Sequence, residues 1–288
     1  VIYGLVAAIG WGLADLTAAV EGRRMGSLWV VLVSQGFSAA VVTGIVLVSG
    51  ADLSAAGVLI GWIIVNGSFA ALGYVTHYRA VELGPLAVVS PVGATYALVG
   101  VILAVAFLGE RPSVGVIVGG VVTIVGVMLT STDLRQLRAG THTMPPGLPW
   151  SLVSAAGFGI GGFTLAKLSQ DLGWQLGLWS SRVSQLVAFV ALGLILRRSQ
   201  LAGRFEARAA AIAAVTVGGA DLIGVLGFSI GAEAGFVTPV LIASAVFPLI
   251  AVALSVAFLH ERPVPNQYAG VLLVVAGLLL VGLGSAAT

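Results

Sequence analysis

The chain has 288 residues, 59% of them hydrophobic and only 8% charged, with 13 Lys and Arg against 11 Asp and Glu. About a quarter of a soluble domain is charged. At a mean hydropathy of +1.11 this chain cannot cover a water-soluble core, so lipid is the expected solvent for most of it. The lack of Cys excludes disulfides and thiolate sites, and a net charge of +2 gives no basis for a nucleic-acid partner.

Crossing the hydrocarbon core as a helix takes about 20 mostly apolar residues. Charge, Gly and Pro divide the chain into ten such stretches, near 1–20, 28–49, 56–78, 85–108, 114–131, 148–166, 175–196, 209–231, 236–259 and 266–284. The runs lack the period-two alternation of barrel strands, so the expected fold is an all-α membrane protein of ten transmembrane helices. The first stretch is expected to belong to this fold and not to a signal peptide, because it continues directly into the repeat described below.

Taken in order, the first span carries Trp11 and Asp15, and the third carries Tyr74, His77 and Tyr78 on one helix face. The fourth carries Pro91 and Tyr96, the sixth Phe158, the eighth Asp221, and the ninth Pro239 and Pro248. Asp15 and Asp221 are the two carboxylates well inside spans. An ionisable group there costs several kcal/mol and normally faces a cavity or a partner, which suits proton coupling or a substrate amine. His77 lies at a depth similar to Asp15, so the two are expected to pair and titrate as a unit. Trp11, Tyr96 and Phe158 are candidates for a stacking surface. Pro91, Pro239 and Pro248 free carbonyls inside helices and are candidate gating hinges. Arg182 is expected to snorkel outward, though it could instead bind a carboxylate. Gln35 and Asn66 are expected to hydrogen-bond between helices.

The loops after odd-numbered spans hold Arg23, Arg24, Arg79, Arg135, Arg138, Arg197, Arg198, Arg204, Arg208 and Arg262, whereas the even-numbered loops hold Arg111 and Lys167. By the positive-inside rule the odd loops are cytoplasmic and both termini outside.

The two halves repeat one another. Val105-Ala106-Phe107-Leu108-Gly109-Glu110-Arg111-Pro112 recurs as Val256-Ala257-Phe258-Leu259-His260-Glu261-Arg262-Pro263, and the register extends to Gly84/Gly235, Ala94/Ala245, Gly119/Gly270 and Gly126/Gly277. Trp29, Ser34 and Gln35 match Trp179, Ser184 and Gln185, and Gly10-Trp11-Gly12 matches Gly157-Phe158-Gly159. The expected organisation is a first repeat at 1–133, a linker at 134–147 and a second repeat at 148–288. With five spans each, the halves enter the membrane in opposite directions, the symmetry of alternating-access carriers. The Glu-Arg-Pro segments read as turns, with Pro opening the next helix and Glu near its positive end. The spaced glycines of the fifth and tenth spans read as close-packing seams.

The paired Leu-x-Glu-Arg-Pro turns, with Tyr78-Arg79-Ala80-Val81-Glu82-Leu83-Gly84-Pro85 leading into span four, resemble the EamA repeat of the drug/metabolite transporter superfamily. The resemblance implies a ten-helix carrier of small metabolites in a bacterial inner membrane, often an amino-acid exporter. It also implies a cavity lined by helices 1, 3, 4, 6, 8 and 9, with helices 5 and 10 peripheral. Tyr74 and Tyr78 match the aromatic residues such exporters carry on helix 3. Many members have basic residues between helices 2 and 3; here that loop, around Asp52, has none, which implies an inverted orientation. The expected function is secondary transport, most of all export of amino acids or similar zwitterions, with efflux of hydrophobic drugs or lipids as the alternative and a scaffold or receptor as the other class. The expected partners are that solute and membrane lipids, the expected state is a monomer or weak homodimer, and no cofactor or metal is expected. With no His-Glu-x-x-His and no phosphate-binding Gly-x-x-x-x-Gly-Lys loop, neither an enzyme nor an ATP-driven pump is expected.

Overall fold

In a bilayer a backbone must satisfy its own hydrogen bonds, and apolar runs of this length do so as helices. The computed structural model describes residues 1–83, 86–131, 146–196, 204–235, 237–250, 253–254 and 264–286, and among these it contains helices and no strand. The helices are α1 (Ile2–Met25), α2 (Ser27–Ser49), α3 (Ile60–Leu83), α4 (Leu86–Ala94), α5 (Tyr96–Phe107), α6 (Val114–Ser131), α7 (Leu148–Leu196), α8 (Ala207–Glu233), α9 (Val237–Ser244) and α10 (Pro265–Ala286). A 3₁₀ segment, Leu53–Leu59, precedes α3. Asp52 opens it by accepting the Ser54 amide and hydroxyl, both at 2.9 Å, and these bonds hold its carboxyl below the usual range. The second Leu-x-Glu-Arg-Pro turn, most of the linker, and Arg197 and Arg198 lie outside the described residues.

Seven helical stretches among the described residues are long and apolar enough to cross a membrane, and Val114–Thr130 and Val237–Ile250 are shorter apolar helices. The count differs from ten for local reasons. The sixth and seventh expected spans form one continuous element, α7, because the chain reverses at a single non-helical residue, Gly173 (φ 79°, ψ 155°). Its arms are 148–172 and 174–196. The first span likewise runs on to Met25, so Arg23 and Arg24 sit in the last turn of α1 and not in a loop, and only Gly26 (φ 87°, ψ 145°) separates α1 from α2. Positive φ with extended ψ is open to Gly almost alone. Each reversal leaves a helix-start N–H without a partner, and each is met by a distant carboxylate. Ser27 N donates to Glu82 at 3.3 Å, and Trp174 N donates to Glu233 at 3.0 Å.

The fourth expected span is broken between α4 and α5 at Thr95, where bonds tighten to the 3₁₀ pattern (Thr95 N to Val92 O, Leu98 N to Thr95 O). A similar break follows α9, with Phe247 N to Ser244 O and Ile250 N to Phe247 O. Pro248 accounts for that one, since it cannot donate to the Ser244 carbonyl. Pro239, an expected hinge, stands in the first turn of α9, where a missing N–H breaks no intrahelical bond.

Glycine lets the helices approach closely. A Cβ on Gly10 would lie 2.6 Å from the Ala220 carbonyl of α8, and one on Gly157 would lie 2.8 Å from the Phe69 carbonyl of α3. Between α6 and α10, Cβ atoms on Gly119 and Gly126 would meet backbone at 2.7 Å. These seams are filled within one chain, which leaves them unavailable to a second copy. Apolar side chains such as Val48, Val58 and Leu272 point outward, 91%, 85% and 71% exposed.

The Glu110 carboxylate departs from expectation. Instead of lying at the start of α6, it accepts the amides of Val237 and Thr238 (3.1 Å to the latter) at the start of α9. Two of the unpartnered donors of a helix N-terminus are thereby satisfied, and Pro239 removes another. The start of α6 is capped by Ser113, which accepts from Val116 N at 3.3 Å, so Pro112 lies outside the helix it was expected to open.

Candidate functional site

Asp15 follows Trp11 by four residues on α1, which sets both on one face, and α1 packs against α8 and α3. The third helix presents Tyr74, His77 and Tyr78 inward, all three buried. Where α4 gives way to α5, Tyr96 turns inward, and the first arm of α7 contributes Phe158. The eighth helix adds Asp221 and Phe228. All eight residues expected to bind solute (Trp11, Asp15, Tyr74, His77, Tyr78, Tyr96, Phe158 and Asp221) border one internal cavity of about 80 Å³. Each buried water needs about 10–15 Å³ by the same measure, so the space holds a few waters and is narrow for a larger solute. No residue of α6 or α10 lines it. Of the expected hinges, Pro91 lies within α4 and Pro248 just after the break following α9; neither borders the cavity.

Two polar centres occupy its walls. In the first, His77 Nε2 lies 2.7 Å from Asp15 Oδ1, and the Ser90 hydroxyl donates to Asp15 Oδ2 at 3.1 Å. His77 and Asp15 are each 4% exposed, and the expected pairing is present. His77 Nδ1 is buried with no hydrogen-bond partner and faces Gly93 of α4, where a Cβ would lie 3.4 Å away.

The second centre is larger. Arg182 Nη2 donates to Asp221 Oδ2 at 2.8 Å, while Arg182 Nη1 donates to Gln35 Oε1, to Gln185 Oε1 at 3.0 Å and to the Tyr74 hydroxyl at 3.2 Å. Asp221 also accepts from Tyr74 at 2.7 Å and from Gln35 Nε2 at 3.2 Å. Asn66 bonds Thr164 Oγ1 and the Gly161 carbonyl at 2.9 and 2.8 Å, tying α3 to the first arm of α7. Arg182 does not snorkel: it is 2% exposed. Eight residues into its arm, at about 1.5 Å per residue, its side chain is too deep to reach the near interface and finds Asp221 instead. Losing either partner of such a pair leaves an uncompensated buried charge, at about 3–5 kcal/mol. Arg182 thus binds a carboxylate, the alternative to snorkelling, and Gln185, outside the expected binding residues, borders the same cavity, for which its match to Gln35 in the repeat is a usable signal.

Aromatic rings close the space between the centres. Phe158 stands edge-on to Tyr74 at 5.0 Å and to His77 at 5.5 Å, while Trp11 contacts Phe228 at 5.8 Å and Tyr96 at 6.1 Å. Tyr96 also hydrogen-bonds Ser244. Because Ser244 already donates to the Leu241 carbonyl at 2.9 Å, the phenol is the donor. This bond joins the residue after one helix break to the residue before the other.

A helical body with apolar side chains turned outward surrounds an aromatic-walled cavity that holds two buried polar centres. The model of the EamA-like transporter family matches residues 1–132 and 145–283, and the chain belongs to that family, a part of the drug/metabolite transporter superfamily. No curated relative matches the sequence. A solved structure described only as "Crystal structure of protein" is 17% identical to it, with a TM-score of 0.74, covering 98% of this chain and 96% of its own. At that identity the likeness shows the fold alone.

Proposed function

We propose that the protein is a secondary carrier that moves a small amine-bearing metabolite, with amino acids as the leading class, across a bacterial inner membrane by alternating access. The observation that carries this reading is the central cavity, enclosed by helices whose contacts follow the sequence repeat. The register matching Gly10 to Gly157 and Ala94 to Ala245 also matches Gly73 to Gly224. The α1–α8 crossing at Gly10 and Gly224 thus corresponds to the α7–α3 crossing at Gly157 and Gly73. Gly26 and Glu82 correspond to Gly173 and Glu233 in the same way, and Gly119 meets Gly277 while Gly126 meets Gly270. Such reciprocity supports two inverted five-helix repeats divided at 134–147, able to rock about a shared site.

In this reading Asp15 and His77 receive the charged end of the solute and couple protons, and the aromatic walls hold its body. Asp221 is saturated by Arg182, Gln35 and Tyr74, so the coupling role expected of it falls to Asp15 and His77. The helix breaks at Thr95 and before Pro248 are the gating elements, with the odd-numbered loops cytoplasmic. Labelled amino acids and related metabolites, offered to proteoliposomes containing the full chain, test the proposal. Saturable, countertransport-capable flux is expected, and a lack of flux with every solute at every pH gradient would reject it.

A further inference from the structure

A second hollow lies on the flank of the bundle, outside the central cavity. It is an open groove of about 520 Å³ between the 3₁₀ segment and α3 on one side and the second arm of α7 on the other. Leu53, Gly57 and Ile64 border it on the first side, and Trp179, Val187 and Ala191 on the second. Ile64 and Val187 are 59% and 65% exposed, so the groove is continuous with the apolar surface that meets lipid. It is walled off from the central cavity where Ser184 packs on Gly67, with 2.7 Å between the Ser184 Cβ and a Cβ built on the glycine.

The sequence repeat contains a second version of this corner. Trp29 and Ser34 of α2 match Trp179 and Ser184, and Ser34 packs on Gly218 of α8 as Ser184 packs on Gly67 of α3. On Trp29 the chain seats an apolar group of its own: Phe205, just before α8, stands edge-on to the indole at 5.0 Å. The segment just before α3, Leu53–Leu59, has no aromatic residue to offer, and the space beside Trp179 is part of the groove. Its dimensions suit a lipid tail. At about 1.5 Å per residue the run from Trp179 to Ala191 is about 18 Å long, against roughly 15 Å for half of the hydrocarbon core.

We propose that this groove binds one phospholipid with an ammonium headgroup, such as phosphatidylethanolamine, with an acyl chain along α7 and the headgroup at Asp52. Lipid tails are as apolar as the groove wall, so burial alone gives no preference for this place over the rest of the surface. The shape of the groove and the charge at its mouth supply one. Asp52 adjoins Leu53, and among the described residues its carboxylate bonds only Ser54. Lys167, over the Trp62 ring at the same end, is already matched by Asp171 at 2.7 Å, so it leaves the Asp52 charge to the lipid. An ion pair this exposed changes binding by no more than about fivefold, which makes the headgroup preference modest and the groove the main determinant.

Phosphatidylethanolamine and phosphatidylglycerol, each with a photoreactive diazirine midway along one acyl chain, are compared in nanodiscs containing the full chain, and labelled peptides are identified by mass spectrometry. Labelling by phosphatidylethanolamine should concentrate on the groove walls of α3 and α7. It should stand several-fold above that on the outward faces of α6 and α10, where Val121 and Leu272 are 54% and 71% exposed. Phosphatidylglycerol should label the groove about two- to fivefold less. A Cβ on Gly57 meets nothing within 4 Å, so Gly57→Phe places a ring in the groove without disturbing its walls. That variant and Val187→Trp should each reduce groove labelling to the level on α6 and α10. Asp52→Asn should keep the labelling and lose the headgroup preference. Groove labelling no higher than that on α6 and α10, labelling that survives both bulky substitutions, or equal labelling by the two lipids would each overturn the proposal. The chain has no Cys, so Val187→Cys introduces a single thiol, and efficient oxidation to a disulfide-linked dimer would assign the groove to a second copy instead.

Discussion

Arg182 and Asp221, on α7 and α8, meet at 2.8 Å with 1% and 2% of their side chains exposed, and together they fix the electrostatics of the cavity. Breaking such a pair by removing one member costs about 3–5 kcal/mol, because the other is left charged and buried. Asp221→Asn should therefore lower stability sharply in thermal unfolding, while Arg182→Gln combined with Asp221→Asn should recover part of the loss. A double variant no more stable than the worse single one would show that the pair is not the source of the cost.

The Glu110 carboxylate, in the turn after α5, accepts two amides at the start of α9. Removing a cap of this kind typically costs about 1 kcal/mol. Glu110→Ala should lower the unfolding temperature and speed hydrogen exchange at Val237 and Thr238, with Glu110→Gln intermediate. Faster exchange at the start of α6 instead would show that the carboxylate serves the helix next to it in sequence.

Glycine does different work at different positions. A Cβ on Gly126 would meet the Val274 amide of α10 at 2.7 Å, whereas one on Gly44 would meet nothing within 4 Å. Gly126→Val should push α6 and α10 apart and destabilise the protein. Gly44→Ala should be neutral or stabilising by up to about 1 kcal/mol, the difference in helix propensity. Similar melting shifts for the two variants would contradict the packing.

Tyr96→Phe deletes the bond from α5 to Ser244. A single hydrogen bond contributes about 1 kcal/mol net, or about fivefold in a two-state equilibrium. If the two helix breaks move together during transport, maximal flux should change by about that factor while the melting temperature moves little. Unchanged flux would remove Tyr96 from the gate.

Much of the architecture is legible in the amino-acid pattern because lipid imposes simple demands. Length and hydropathy locate the helices, and the recurrence of Gly10-Trp11-Gly12 as Gly157-Phe158-Gly159 anticipates which crossings correspond. Asp15, His77 and Asp221 emerge from one rule, that a polar group inside a span needs a reason. Position along a helix does not reveal partners, however. Arg182 could as easily have reached an interface, and only the placement of α8 shows that Asp221 is there to meet it. Nor does local sequence reveal that Glu82, Glu110 and Glu233 cap helices remote from them in the chain. Gly173 was hidden for another reason: one positive-φ residue reverses the chain while the hydrogen-bonded pattern on either side continues.

If this cavity carries a solute across the membrane, transport must depend on the groups that line it. Uptake of labelled amines and amino acids into proteoliposomes, at equal pH and with an imposed pH gradient, tests it most directly. Saturable flux is expected, driven by the gradient and eliminated by Asp15→Asn. Flux equal to that of protein-free liposomes for every solute, or gradient-driven flux untouched by Asp15→Asn, would contradict it.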